Sequence, residues 1–241
     1  MRRLTNALIA SVLVLAACTP NTPPPPEPQN DHRATFRWIA NPTVDLMSPE
    51  GTFIRGLTES WVQAFAQPGE HVDALRAGGY PGFEHAFNNA WDPKGWAGNG
   101  YFGDARVGTD YFEVIEAHRD GANLSATVCN YASMTATKVS GDEWGGPGAR
   151  SGQFATMTFG PDPKLTADVQ RAPLPQQMGP ARKPIDNVFG TWITTDWHGL
   201  KDGDPRCNKL APGTPADVPE IYRRPDAPPS LPPDPGWPEA R

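Results

Sequence analysis

Proline sets the outer limits of what this chain can fold. Residues 19–30 (TPNTPPPPEPQN) contain six prolines and residues 211–241 contain ten. A proline ring fixes φ and removes the backbone donor, so neither stretch can supply the interior of a helix or of a central strand. The first has no apolar residue to bury and reads as an extended, solvated polyproline spacer. The second, with APGTPADVP, RRPDAPPS and LPPDPGWP, reads as a disordered tail, in which Val218, Ile221 and Tyr222 are the residues able to lie against a domain. A PxxP ligand for an SH3-type partner is the functional alternative for the tail. Between the two stretches about 180 residues remain, the size of one domain, with no internal repeat.

The N-terminus carries an address. Arg2 and Arg3 precede a short apolar run from Leu8 to Leu15, followed by Leu15-Ala16-Ala17-Cys18. That is the layout of an export signal with small residues before the cut. The apolar run is shorter than the roughly 20 residues that cross a bilayer. Leu15 to Cys18 resembles the lipobox of bacterial lipoproteins. The resemblance implies cleavage before Cys18, acylation of its thiol and of the new N-terminus, and a membrane partner reached through the lipid anchor on the extracytoplasmic face. Two acyl chains give stable anchoring where one is marginal. An ordinary secreted protein with an incidental Cys18 is the other reading. The expected organisation is signal peptide 1–17, spacer 18–30, one domain 31–210 and tail 211–241.

Loss of Arg2 and Arg3 leaves 19 basic and 27 acidic side chains, so the net charge falls from −6 to about −8. An acidic surface disfavours nucleic acid and electrostatic docking on anionic lipid. With Cys18 assigned to the lipid, Cys129 and Cys207 form an even pair. In an oxidising compartment such a pair reads as one disulfide; two free thiols, or a reactive Cys129 beside a histidine, are the alternatives. No Cys/His spacing suits zinc, so no metal is expected, and no sequence motif implies a cofactor.

Within the domain, helical patterns precede stranded ones. Ser48-Pro49 is a helix start, and Phe53, Ile54, Leu57, Trp61 and Phe65 follow at helical spacing. A second short helix is expected over 70–77 and a third from near Pro81; residues 92–109 read as a glycine-rich loop. Strand patterns run from Tyr111 to His118, from Asn123 to Val139 after an Asp120-Gly121 turn, from Gln153 to Phe159, and from Val188 to Trp197. Helices first and then an antiparallel meander indicate α+β.

Three segments carry a family resemblance: the helix from Phe53 to Phe65, the hairpin VIEAHRDGANLSATVCNY (114–131) and the strand VFGTWITTDW (188–197). Together they resemble the NTF2-like fold, a cone of helices on a curved antiparallel sheet, and the hairpin is similar to those of small exported actinobacterial lipoproteins. The glycine-rich insertion between Gly141 and Gly152 and the long connection from Gly160 to Pro184 depart from that pattern. The resemblance implies a pocket on the concave face of the sheet, where such enzymes place an acid/base pair. The candidates are Asp196 with His198, sharing a strand face, and Asp110, Tyr111, His118 and His85.

No nucleophile-elbow, zinc-protease or phosphate-loop motif occurs. Seven tryptophans (Trp38, Trp61, Trp91, Trp96, Trp144, Trp192 and Trp197) lie outside the proline stretches. Trp91, Trp96, Tyr101 and Phe102 cluster in the loop-rich segment, where core packing explains them least well and ligand stacking is an alternative. Three functions follow. The first is a non-enzymatic envelope lipoprotein binding an envelope component or exported protein, the second a small-molecule enzyme using Asp196, His198 and Tyr111. The third is a glycan- or peptidoglycan-binding module using the loop aromatics.

The address makes a direct prediction. Intact-mass measurement of protein extracted from membranes is expected to show acyl mass on a chain starting at Cys18, and Cys18→Ala is expected to lose it. A wild-type chain without acyl mass overturns the lipoprotein reading.

Overall fold

The computed structural model describes residues 34–67, 72–90, 106–140, 143–150 and 152–240. The signal segment, Cys18 and the proline spacer lie outside the described residues. Among the described residues the chain is α+β, with three helices and one sheet of eight strands. The helices are α1 (Pro49–Phe65), α2 (Val72–Gly78) and α3 (Phe83–Phe87). The strands are β1 (Thr35–Ile39), β2 (Val107–Asp120), β3 (Asn123–Tyr131), β4 (Thr135–Ser140), β5 (Glu143–Gly146), β6 (Gly152–Pro161), β7 (Trp192–Lys201) and β8 (Tyr222–Arg224).

The sheet runs β7-β6-β3-β2-β4-β5-β8, all antiparallel, and β1 joins β2 in parallel. A strand therefore precedes the helices, contrary to the helices-first order expected from sequence. The β2–β3 hairpin closes at Gly121-Ala122, with Asp120 opposite Asn123 and Gly121 at φ +57°, the left-handed conformation that the Asp-Gly signal anticipates. The expected strand from Asn123 to Val139 breaks at residues 132–134. Tyr131 lies opposite Tyr111, and Thr135 opposite Gly108, so β3 and β4 follow the same neighbour with one extra residue between them. The last long strand starts at Trp192 rather than Val188; Val188 and Phe189 are buried as loop residues instead.

Helix α1 forms where sequence places it. Ser48 caps it, its Oγ accepting from Gly51 N at 3.1 Å, and Pro49 occupies the first turn. Phe53, Ile54, Leu57 and Trp61 enter the main core, with Phe53 stacked on Phe159 at 4.5 Å and Trp61 against Trp197 at 5.6 Å. The helix is buried on its other face too, and there it carries charge. Glu59 Oε1 accepts from Trp38 Nε1, and Oε2 from Tyr80 Oη and Trp237 Nε1, each at 2.7 Å. One turn earlier, Arg55 donates to the carbonyls of Gln177, Pro235 and Gly236, and its guanidinium lies 4.3 Å over the Trp237 ring. Burial pushes the Glu59 carboxyl up from its ordinary value, against the pull of Arg55 and the three donors, and burial likewise lowers the Arg55 guanidinium.

The described tail residues, 211–240, are not a disordered appendage, and the domain does not end at 210. Trp237 is 1% exposed and belongs to the main core. The segment around Asp234 lies along β1, Trp38 N donating to Asp234 O and Asp234 N to Phe36 O, and Trp237 pairs with Ala181. Thr109 Oγ1 donates to Pro229 O, Arg37 to Pro232 O, and Ser230 Oγ accepts from Gly108 N. Proline lacks a donor but keeps its carbonyl, and these carbonyls satisfy donors that the fold presents. Composition suggested disorder because it counts apolar residues; one tryptophan and a row of acceptors were enough.

On the opposite sheet face, Cys129 on β3 and Cys207 are joined by a disulfide with Cα atoms 5.2 Å apart, packed with Tyr111, Tyr131 and Ala211. It closes a separation of 78 residues, which the chain-entropy model values at up to about 4–5 kcal/mol.

Trp237→Ala is expected to lower unfolding stability by about 3–5 kcal/mol, from a lost aromatic side chain and the loss of one of the two donors to Glu59 Oε2, which keeps Tyr80 Oη. Urea unfolding followed by far-UV circular dichroism checks this; an unchanged midpoint would show that the tail is not part of the fold.

Candidate functional site

Side chains alternate along each strand of the sheet, and one face packs on α1. Inward positions on β3 read Leu124, Ala126, Val128 and then Asn130; on β6, Phe159, Met157, Ala155 and then Gln153. On β2, Val114 and Phe112 give way to Asp110. The apolar pattern thus fails at the same end of three neighbouring strands. Asn130 lies opposite Phe112 on one side and Gln153 on the other, so the polar positions are contiguous.

These residues line a recess of about 180 Å³ between the sheet and the C-terminal half of α1. Trp61, Val62, Phe65, Phe112 and Leu200 form its apolar walls, and Arg106, Asp110, Asn130 and Gln153 its polar side. Trp61 and Phe65 stack at 5.1 Å with their planes 16° apart. Gly199 on β7 lets the Trp61 indole lie close: a Cβ there would sit 2.8 Å from the ring. Asp110 is 1% exposed, and its Oδ1 accepts from Arg106 Nη2 at 3.0 Å and Asn130 Nδ2 at 3.3 Å. Asn130 also donates to the Tyr111 carbonyl. Gln153 Nε2 donates to Asp202 at 3.3 Å. An isolated buried carboxylate would be costly, and the Arg106 pairing offsets that cost without removing the polar character of the wall.

The structure separates most residues proposed from sequence. Asp110 lines the recess, but Tyr111, next along β2, points to the opposite face and packs beside the disulfide. Asp196 and His198 do meet, at 3.5 Å, with side chains 55% exposed on the solvent side of β7 and away from the recess. His118 is exposed near the end of β2. His85 lies on an open depression of about 1000 Å³ over α2 and α3, together with Lys183. Trp91, Trp96, Tyr101 and Phe102 lie outside the described residues. Arg106, Asn130 and Gln153 were missed. Asn130 and Gln153 could have been found as polar residues at inward positions of otherwise apolar alternations. Arg106 sits in a stretch that reads only as loop.

A second polar cluster occupies the other sheet face. Glu113 accepts from Tyr131 Oη at 2.6 Å, from Asn41 Nδ2 at 3.1 Å and from Lys209 Nζ at 3.3 Å. It joins β2, β3, the segment after β1 and the segment after Cys207. Partial burial raises the Glu113 carboxyl, but these three donors outweigh it and hold the group below its ordinary value of 4.5. Burial and the neighbouring carboxylate push the Tyr131 phenol up. Among the described residues no three His, Cys, Asp or Glu side chains gather as a metal-ion site, and no helix is long and apolar enough to cross a membrane.

No family model, curated protein or solved structure matches the chain.

The Glu113 cluster predicts a pH dependence. Because its folded value is depressed, its contribution to stability is present above 4.5 and is lost as pH falls through the folded value. Wild type is therefore expected to exceed Glu113→Gln in urea midpoint at pH 7, the gap closing toward pH 3. The buried Glu59, raised and so of opposite sign, is common to both proteins and cancels in the difference. A gap independent of pH would mean that the carboxylate charge is not what clamps this face.

Proposed function

We propose that this protein is a lipid-anchored envelope protein whose domain, an NTF2-like cone, binds a small component of the cell envelope without transforming it. The recess between α1 and the sheet is the binding site. The observation that carries this reading is the coincident switch from apolar to polar side chains on β2, β3 and β6, where packing alone would favour continued apolar residues. Such a concave site, mostly apolar with a few convergent polar groups, is the usual form of a small-molecule pocket.

Binding rather than catalysis is supported by the makeup of the site. Its carboxylate is held by Arg106 and Asn130, and no histidine, cysteine or lysine is among the recess residues described. The Asp196–His198 pair faces solvent instead, with both side chains 55% exposed. The lipobox resemblance at Cys18, the proline spacer and the acidic net charge agree with a domain held off a membrane by its lipid and not by a basic patch.

Gln153→Trp, at the solvent edge of the recess, fills the site with little effect on the core. Protein isolated from its own membranes is expected to yield an organic-extractable small molecule, seen by mass spectrometry, in the wild type and not in Gln153→Trp. Identical extracts from the two proteins would overturn the proposal.

A further inference from the structure

We infer that β8 is a docking edge for an extended segment of another protein, one carrying a single acidic residue between apolar neighbours; the inference is independent of the recess. The open edge comes first. β8 ends the strand order, and β5 is the one strand paired with it among the described residues. No other backbone hydrogen bond reaches Tyr222, Arg223 or Arg224 from a described residue. The outward N–H and C=O groups of such a strand are a template for one more strand.

Strand alternation gives the two faces of this edge different chemistry. Tyr222 and Arg224 share one face, the guanidinium lying 4.2 Å over the phenol ring, with Trp144 of β5 directly opposite Arg224. Arg224 Nε is buried, but its two Nη nitrogens reach solvent and meet no acceptor among the described residues. The Trp144 indole N–H is also unengaged there. A cation held by the ring beneath it thus stands beside a free donor, and a carboxylate, with two acceptor oxygens, answers both. Glu220 and Asp226 flank the strand and are exposed, so a run of acidic residues would be repelled and a single one is favoured.

The other face is apolar. Ile221 and Val139 are 62% and 43% exposed, and with Gly145 and Pro147 they line a hollow of about 330 Å³. Arg223, on the same face, is already paired with Glu143 at 3.1 Å. A strand laid beside β8 turns successive side chains to opposite faces, so the neighbours of its acidic residue meet this hollow. Edge pairing of two copies of the chain is disfavoured, because it sets arginine against arginine.

Fluorescence anisotropy on the full chain in a neutral detergent tests this with a labelled Ser-Val-Glu-Val-Ser peptide, its termini blocked to remove their charges. Control peptides replace the glutamate by lysine, both valines by serine, or one valine by proline, which removes a strand donor. The parent peptide is expected to bind, and each control at least about tenfold more weakly, as for loss of a charged or backbone hydrogen bond or of apolar burial. Arg224→Gln, shown to be folded by its melting temperature, is expected to bind the glutamate and lysine peptides alike. Should that variant unfold, the peptide exchanges on the wild-type chain decide alone. A proline peptide that binds as well as the parent would show that no strand is added and overturn the inference. Equal binding of the lysine or serine peptide would overturn it too, as would a folded Arg224→Gln that keeps the preference for glutamate, or absence of binding by the parent peptide.

Discussion

Glu59 is the point on which the structure turns. Its carboxylate sits on α1 at 1% exposure and gathers indole donors from β1 and the C-terminal segment and a phenol from the turn after α2. Each is distant in sequence, so one residue ties together elements that no local preference would bring into contact. A buried carboxylate missing any of its donors would be strongly destabilising. Arg55, one turn away, binds the carbonyls of the segment that delivers Trp237 and covers the indole face. The helix thus faces two ways, apolar toward the sheet and charged toward the strap of chain that encloses it.

That arrangement frees the far end of the same helix for another use. In its first half α1 is held by Phe53 stacked on Phe159 and by the Arg55 contacts, and just past its middle by the Glu59 network; in its last turn, Trp61 and Phe65 stand against Asp110, Asn130 and Gln153. With stability supplied by the first region and by the Cys129–Cys207 link on the opposite face, the sheet can tolerate polar side chains where core residues would pack better. Local disagreement with the packing rule, confined to one end of three strands, is the observation on which the proposed binding site rests.

Much of the framework was legible from residues alone. The α1 cap and stripe, the Asp120-Gly121 hairpin, the inner strands and the cysteine pair all follow from short-range patterns or simple counting. The site was legible only in part: Asp110 was named, but beside Tyr111, which strand alternation sends to the opposite face. Asp196 and His198 share a face as their spacing requires, yet spacing does not say whether that face meets solvent or helix. The parallel β1, five residues long and flanked by turns, has too little pattern to announce itself, and its hydrogen bonds go to β2 some seventy positions away.

Sequence by itself determined the local structures, because caps, turns, alternation and helical spacing act within a few residues and need no partner. It also specified the signal-like N-terminus and the even cysteine pair. Tertiary structure alone decided that the proline-rich end is part of the core, since proline carbonyls become useful only where the fold presents unpaired donors such as Arg55, Arg37 and Thr109. It alone decided the recess as well. Asn130, Gln153 and Asp110 are unremarkable polar residues in their own segments, and they become one wall because antiparallel register sets three strands side by side against Trp61.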